Sequence, residues 1–533
     1  MRLFLHGRLE SSMMLERLEQ ARNGTTCYSS LLLSNWNVDE MDADILYALE
    51  EYLNYQQELH RQQQQEQHRR QWCIQASKNS TSFQHEQNKK KTQQLREIIL
   101  YNCTGGQRLQ HLVALSLDTT AQADESSITI RYDKQRKLSL AIANGLLEGA
   151  KRQCALSCPL KSLILKGMTL TPETTDRLHQ ALAHLPNLQE LTIRGIFTLQ
   201  ELDRKHVSIL GKHGTRQQMH DIECTVDLLY DILQGLPQLK LLDLQHCHLP
   251  DQYLADLLEG LYPETLQTLR LRGNMCMEES QEMVYDLLMH KQCALQELDL
   301  SWQRLPQASR NYSILHLDLL SKALVERNTS LQRLNLSDNR LPDEDVSLLA
   351  VALLRNTFLT TVRLQNCRIT SRGFLALAQT LPMWSENMKS IQIDGSQKVE
   401  KASLVRKRFF QALLKNVYLQ QLDLPDSCQS KSMDWVLELN RAGRRALLAP
   451  SSDEEVSESS SAISSHEDDT SISTPANSSN SSPLALSDNL WPTILERADR
   501  VARREYLQEE ASTKAASAMY LLFREKGYQA IIR

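Results

Sequence analysis

Leucines recur along this chain in short blocks of the form L-x-x-L-x-L-x-x-(N/C), in which most x positions are polar. Apolar residues at alternate positions predict a short β-strand with one buried face. The Asn or Cys that follows ends the strand, and its side chain can satisfy backbone groups that the turn would otherwise bury unpaired. A stretch with apolar residues on one helical face then follows, as in residues 346–354. The pattern predicts a repeated strand–turn–helix unit.

The blocks are regularly spaced from residue 160 onward. Successive starts are separated by 28, 51, 27, 29, 36, 28, 29 and 31 residues. A 28-residue unit explains every step if two units carry insertions, which we place near residues 198–220 and 306–314. Because one unit cannot bury its own apolar side, we predict that the copies stack around one continuous core. The starts are Leu160, Leu188, Leu239, Leu266, Leu295, Leu331, Leu359, Met388 and Leu419.

This repeat resembles that of the leucine-rich repeat family, and within it the long ribonuclease-inhibitor-like class. The segments that carry the resemblance are LQTLRLRGN (266–274), LQRLNLSDNRL (331–341) and LTTVRLQNCRI (359–369). The resemblance covers residues 160–424. It implies an α/β fold, a right-handed solenoid or horseshoe with parallel strands on the concave side and helices on the convex side.

Less regular copies precede this region. We interpret residues 1–55 as an N-terminal cap and a first divergent repeat, and residues 95–430 as the solenoid. The segment 56–94 between them holds 13 Gln in 39 residues. We predict that it is a disordered insertion, with a loose charged helix as the alternative.

The register is open between residues 104 and 159. Leu112, Leu115 and Leu117 form either another strand or the helix of the repeat that starts at Leu95. We place a further insertion near residues 118–136.

The C-terminal part departs from the repeat. We predict a short helix in residues 431–449 and a helical C-terminal cap in residues 490–533, whose sequence resembles tails of uncharacterised leucine-rich repeat proteins from microalgae. Between these two segments, residues 450–489 hold 15 Ser and no Lys or Arg, with seven acids between Asp453 and Asp469, which predicts a disordered linker. In it, Ser452 and Ser464 are candidate sites for an acid-directed kinase.

Composition narrows the cellular setting. Leu makes up 92 of 533 residues, whereas Phe, Trp and Tyr together contribute 5%. The net charge of −5 favours neither nucleic acid nor an anionic membrane as a partner. The N-terminus lacks the apolar region of a signal peptide, no apolar run reaches membrane-spanning length, and the 11 cysteines are mostly far apart. We therefore expect a monomeric cytoplasmic protein, with a nuclear or perinuclear location as the alternative.

The sequence does not indicate catalytic chemistry. P-loop, dinucleotide-binding, zinc-protease and nucleophile-elbow motifs are all absent from it. His246 and His248 flank Cys247, and we expect both histidines to be solvated loop residues. Cys103 and Cys367 stand at the inward repeat position, so we expect core residues and not nucleophiles. We predict no enzyme activity, no cofactor and no metal site.

The remaining candidate is the concave surface, where the residue between the last two leucines of each block points outward. Acidic, basic and amide groups on a rigid strand array suit protein binding. Trp302 at a strand edge is a candidate anchor, and packing against the 306–314 insertion is its competing interpretation. Along the stack this row is Thr192, Asp243, Arg270, Asp299, Asn335, Arg363, Gln392 and Asp423, with Arg272, Ser301, Ser337 and Gln365 beside it. The candidate partner-binding residues are the row from Asp243 to Asp423 together with Arg272.

Two functions are consistent with these features. The first is a non-enzymatic scaffold that binds a protein partner on the concave face. The second is a small-GTPase regulator, because the repeat also resembles Ran GTPase-activating protein, which likewise combines a solenoid with an acidic C-terminal segment. Ribonuclease inhibition is less favoured, since the concave face lacks the acidic excess that a basic enzyme requires.

Overall fold

Thirteen strands lie side by side in the computed structural model of this protein. The structure describes residues 2–7, 9, 11–23, 28–76, 95–120, 126–153, 160–196, 216–303, 317–326, 330–394 and 399–444. Within these residues the strands form one parallel sheet in which each strand pairs with the next one along the chain. Strand order therefore follows chain order, as stacked repeats require.

Each strand is followed by the helix of the same number. The strands are β1 (Arg2–His6), β2 (Ser30–Ser34), β3 (Glu97–Tyr101), β4 (Ser127–Lys137), β5 (Ser162–Thr169), β6 (Glu190–Arg194), β7 (Leu241–Asp243), β8 (Thr268–Arg270), β9 (Glu297–Asp299), β10 (Arg333–Asn335), β11 (Thr361–Arg363), β12 (Ser390–Gln392) and β13 (Gln421–Asp423). The helices are α1 (Ser11–Arg22), α2 (Ala43–Ala76), α3 (Gln107–Thr120), α4 (Leu140–Gln153), α5 (Pro172–Leu182), α6 (Arg216–Gln234), α7 (Asp251–Glu259), α8 (Glu278–Met289), α9 (Leu317–Glu326), α10 (Asp343–Arg355), α11 (Ser371–Thr380), α12 (Ala402–Lys415) and α13 (Lys431–Arg441).

The sheet curves because its two layers need different spacings. Neighbouring strands lie ~4.8 Å apart, whereas packed helices need ~8–10 Å between their axes. Since every unit contributes one strand and one helix, and consecutive helices pack on each other, the strands must take the inner side. The open face of the sheet is therefore concave. The predicted α/β solenoid with inner strands and outer helices is confirmed.

The core lies between sheet and helices and consists mostly of leucine. In β10, Leu334 is buried, while Arg333 and Asn335 on either side of it lie on the open face. Full burial of one such side chain stabilises the fold by ~1.5–3 kcal/mol. The alternating leucines of the sequence are thus the inward positions of the strands.

The N-terminal region contains two strand–helix units. Strand β1 pairs residue for residue with β2, and helix α1 packs on α2. The alternation Leu3-x-Leu5 is the repeat signature of this first unit. The predicted divergent repeat is the second unit, β2 with α2, and the segment predicted as a cap forms the first unit, β1 with α1.

Helix α2 also corrects the prediction for the Gln-rich segment. It continues to Ala76, so residues 56–76 are helical and the prediction of disorder is wrong for them. Glutamine has a high helix propensity, which lets the helix extend beyond the residues that it buries. Residues 77–94 lie outside the described residues.

The open register between residues 104 and 159 has a clear solution. Leu112, Leu115 and Leu117 belong to α3, the helix of the repeat that starts at Leu95. Strand β4 then occupies most of the segment predicted as an insertion near 118–136, so that prediction is wrong there. Polar residues such as Asp133 and Gln135 concealed the strand.

Other predicted segments lie partly or wholly outside the residues that the structure describes. Helix α6 starts at Arg216, within the predicted 198–220 insertion. Residues 198–215 of that insertion lie outside the described residues. Helix α13 lies within the range 431–449, where the sequence predicts a short helix. The 306–314 insertion, the linker 450–489 with Ser452 and Ser464, and the predicted cap 490–533 lie outside the described residues.

Candidate protein-interaction face

The sequence-predicted residues between the last two leucines of each block form one continuous row on the concave face. Sheet pairing aligns each of them with its neighbour in the next strand, from β6 to β13. In order they are Thr192, Asp243, Arg270, Asp299, Asn335, Arg363, Gln392 and Asp423. Their burial and pairing differ, which decides what each can offer to a partner.

Asp243, near the start of this row, is not available for contact with a partner. Its side chain is 2% exposed, and the Arg194 guanidinium binds both carboxylate oxygens, with the shortest N–O distance 2.5 Å. One oxygen also accepts from the backbone N–H of Gln245 at 3.1 Å. Thr192 beside it is buried as well. These two residues hold the sheet together and do not present free groups.

Arg270 belongs to a three-residue charge bridge. The Glu297 carboxylate accepts from Arg270 at 2.9 Å and from Arg333 at 3.0 Å. Burial alone would raise the pKa of Glu297, but the two guanidiniums hold it below its usual value. Sequence reasoning missed Glu297 and Arg333, which occupy the position before the inward leucine. The alternation of a strand could have found them, since residues two apart share a face.

Acidic and amide members of the row also organise the turns. Asp299 accepts from the backbone N–H of Ser301 at 2.9 Å, and Asn335 accepts from that of Ser337 at 3.1 Å. Both serines are buried. Asp423 accepts from the Gln421 side chain at 2.7 Å. The three side chains are therefore partly engaged within the protein, and all three are half-buried.

Arg363 is the exposed cation of the row. Within the described ranges its guanidinium makes no ion pair or side-chain hydrogen bond, and Gln392 next to it is half-buried. On the neighbouring row, Gln365 donates to Asp394 at 2.7 Å. Arg363 therefore combines a fixed strand position with an open charge.

Trp302 forms a cluster with Arg272 and His246 at the edge of the same face. The guanidinium carbon of Arg272 lies 5.6 Å from the centre of the indole, and its Nη2 lies 3.0 Å from the Asp338 carboxylate. The His246 ring packs edge to face on Trp302 with centroids 5.2 Å apart. The indole remains 36% exposed. Its predicted contact with the 306–314 insertion lies outside the described residues.

The inward Asn and Cys positions act as the sequence predicts. Asn274 donates to the carbonyls of Leu244 and Leu271, both at 2.9 Å, and accepts from the Leu249 N–H at 3.1 Å. Cys247 and its repeat equivalents take the same place with a weaker thiol donor, as in the 3.0 Å contact to the Ile193 carbonyl. Burial raises the pKa of Cys247 to about 12, so the thiol is a core group and not a nucleophile.

The two histidines differ from the expectation of a solvated pair. His248 is buried, and its Nδ1 lies 3.2 Å from the carbonyl oxygen of Gly273, which can accept a hydrogen bond from it. His246 is engaged with Trp302. Among the described residues no group of three or more His, Cys, Asp or Glu side chains could hold a metal ion. In the same part of the chain no helix is both long and apolar enough to cross a membrane.

Comparison with known proteins agrees with the repeat architecture. The family model described as Leucine Rich repeat matches residues 327–350 and 355–378. Ribonuclease inhibitor from Sus scrofa is 27% identical over 282 residues, which cover 51% of this chain and 55% of that protein. The repeats of this chain are therefore leucine-rich repeats, similar to those of ribonuclease inhibitor.

Two further similarities concern other leucine-rich repeat proteins. The human NACHT, LRR and PYD domains-containing protein 14 is 29% identical over 46% of this chain, but the match covers 20% of that protein. The solved structure of leucine-rich repeat-containing protein LegL7 from Legionella pneumophila covers 64% of this chain at 13% identity and a TM-score of 0.33. The chain thus spans a fifth to about half of the curated relatives named here.

Proposed function

We propose that this chain is a non-enzymatic, cytoplasmic scaffold that binds one protein partner on the C-terminal half of its concave face. The contact residues are those of β8–β13 that offer open groups, with Trp302 as the anchor. The observation that carries the proposal is the Trp302 cluster beside a row of charged and amide side chains on paired strands. We further propose that the chain acts as a monomer.

Rigidity supports this assignment. The row residues of β8–β12 lie on strands that are hydrogen-bonded on both sides, so little backbone entropy is lost on association. Trp302 is half-exposed but held from two sides, as expected for a binding hot spot that is organised before the partner arrives. Arg363 adds a charge that a partner carboxylate can pair with.

Affinity capture with quantitative mass spectrometry tests the proposal. The bait is the full chain, either unchanged or with Arg270→Glu and Arg363→Glu on the concave face. The matched control carries Lys407→Glu and Arg408→Glu on the exposed side of α12, which changes the net charge equally. All three proteins are first compared by circular dichroism and thermal unfolding.

We expect the partner to be captured by the unchanged chain and by the α12 variant, and to be lost from the concave variant. Exposed ion pairs contribute ~0–1 kcal/mol, so the concave variant should stay folded. Equal recovery of the partner by all three baits would show that the binding site lies outside this half of the concave face.

A further inference from the structure

An apolar stripe crosses the concave face in its N-terminal half. Phe4, Leu32, Ile99 and Ile164 occupy the same register position in β1, β2, β3 and β5, and Thr129 fills it in β4. Phe4 is 41% exposed and the others are half-buried. From β7 onward the same row carries acidic, basic or amide side chains. Contiguous apolar surface of this kind marks interaction sites in soluble domains.

A cationic ledge follows one side of the stripe. Two residues further along the strands, Arg131, Lys166 and Arg194 are aligned in β4, β5 and β6. Arg194 is bound to Asp243, and Arg131 lies over the Tyr101 ring at 5.7 Å. Among the residues that the structure describes, the Lys166 ammonium has no ion-pair or hydrogen-bond partner.

Lys166 shows that positive charge is in excess on this ledge. Burial is the first cause of its lowered pKa, and the positive charges of Arg194, Arg131 and Arg270 lower it further, against the opposing effect of Asp243. An anion placed beside Lys166 would relieve this repulsion. The ledge therefore attracts carboxylates more strongly than its isolated residues would.

The other side of the stripe carries little net charge. Arg2 is paired with Glu97 at 3.1 Å, and the neighbouring strands place Ser30, Ser127 and Ser162 in the same row. Glu190 continues that row in β6. The N-terminal concave face is therefore apolar along its centre and cationic on one flank from β4 to β6, where the row continues from His6, Ser34 and Tyr101 of β1–β3.

We propose that this face binds a partner helix that carries apolar side chains along one side and carboxylates along one flank. The stripe spans five strands, or ~19 Å at the usual strand spacing. A helix advances ~5.4 Å per turn, so one apolar side chain per turn matches one strand per step. Three to four turns of helix cover the stripe. This inference rests on the proposed scaffold function and gives the chemistry of the partner segment.

A pair of fluorescent helical peptides tests the charge and the apolar requirement separately. Each is about 14 residues long, the length that covers the stripe, with leucines at i, i+4, i+7 and i+11. One carries glutamates on the flank of the leucines and the other carries lysines there. A third peptide keeps the glutamates and replaces the leucines with glutamine. Binding to the full chain is measured by fluorescence anisotropy.

We expect micromolar binding of the glutamate peptide and at least about tenfold weaker binding of the other two. Ile99→Asp should abolish binding, whereas Thr361→Asp on the C-terminal half of the same face should not. Arg131→Glu with Lys166→Glu should reverse the preference toward the lysine peptide, which a misfolded variant could not do. Failure of the glutamate peptide to bind, or equal binding of all three peptides, would overturn the proposal.

The two proposals fail in different ways. If the captured partner still depends on Arg270 and Arg363 while the peptides do not bind, the scaffold function stands and the helix inference falls. If the glutamate peptide binds as expected but capture is unaffected by the concave charge swap, the N-terminal face alone is the binding site. If anionic lipid vesicles bind and the glutamate peptide does not, the proposal that a protein segment occupies this face is overturned.

Discussion

His246 and Trp302 come from repeats that are not adjacent, yet their rings meet edge to face with centroids 5.2 Å apart. The repeat between them carries Gly273 at the equivalent turn position, so no side chain separates the rings. The φ angle is positive at all three residues: 56° at His246, 77° at Gly273 and 50° at Trp302. The candidate anchor of the interaction face is therefore positioned with the help of a glycine in the adjacent repeat.

Gly273→Ala should disturb this arrangement. A Cβ there would lie 2.7 Å from His246 Nδ1, so the imidazole must move and its contact with Trp302 is lost. We expect a loss of ~2 kcal/mol in the free energy of unfolding, measured by urea denaturation. Gly443→Ala is the matched control because φ is also positive and nothing lies within 4 Å of the new Cβ. It should cost ~1 kcal/mol, and an equal loss in both variants would show that the His246–Trp302 contact is irrelevant to stability.

Asp251 stabilises a helix in the next repeat. Its carboxylate accepts the backbone N–H groups of Met277, Glu279 and Ser280 at 2.7, 2.9 and 3.1 Å, at the start of α8. Asp251→Ala leaves these donors without their cap and should cost ~1–2 kcal/mol in urea unfolding. Asp256→Ala removes an exposed carboxylate from the same helix α7 and should change the midpoint little. A larger loss for Asp256→Ala would contradict capping between repeats.

Asn274 is the strongest of the inward turn residues. Asn274→Ala removes three buried hydrogen bonds to backbone groups and should destabilise the chain by ~3 kcal/mol in urea unfolding. Asn274→Cys should restore part of this loss, because Cys247 and Cys367 use the same position and donate to carbonyls there. If cysteine proves no better than alanine, the thiol contacts do not contribute to the turns.

Buried thiols predict a pattern of chemical labelling. Burial raises the pKa of Cys247, Cys276 and Cys367 to about 12 in each case. Iodoacetamide at mildly alkaline pH should therefore label the half-buried Cys224 and Cys293 first, as read by peptide mass spectrometry. Early labelling of the three buried thiols in folded protein would contradict the packing of the repeats.

The same shifts determine how stability responds to alkaline pH. A raised pKa in the folded state means that unfolded thiols lose protons first as the pH rises. Their contribution to stability is complete below the ordinary thiol pKa and is lost as the pH approaches 12. Urea midpoints measured across this window should fall, and Cys247→Ala should reduce the slope. An unchanged slope in that variant would show that Cys247 is not the group responsible.

Much of the fold follows from the sequence because the buried positions are periodic. Leu334, Leu298 and Leu269 recur at the same place in the unit, and each lies in a strand as predicted. Strand β4 escaped detection because the charged stretch after Tyr132 breaks the alternation that identifies a buried face. Residues that face solvent or a partner do not recur at a fixed spacing in this way, so their roles cannot be predicted from it.

The sequence predicts where the residues of the interaction face lie, but not which of their side chains are already paired within the protein. Sequence spacing places Asp243 and Arg363 in one row, yet one is bound to Arg194 and the other is open. That difference depends on which side chain stands in the adjacent strand 49 residues earlier, a contact that no local pattern reports. The apolar stripe was not predicted, because Phe4 and Leu32 stand between inward-facing leucines and a run of consecutive apolar residues does not show which of them faces outward.

Hydroxyl-radical footprinting of the chain with its captured partner tests the central claim most directly. The account predicts that partner binding lowers the oxidation rate of Trp302 on the concave side, while the exposed Leu348 and Val351 on α10 are oxidised as fast as in the free chain. An unchanged rate at Trp302 with protection of the α10 residues would contradict it, because the partner would then bind the helical side of the solenoid.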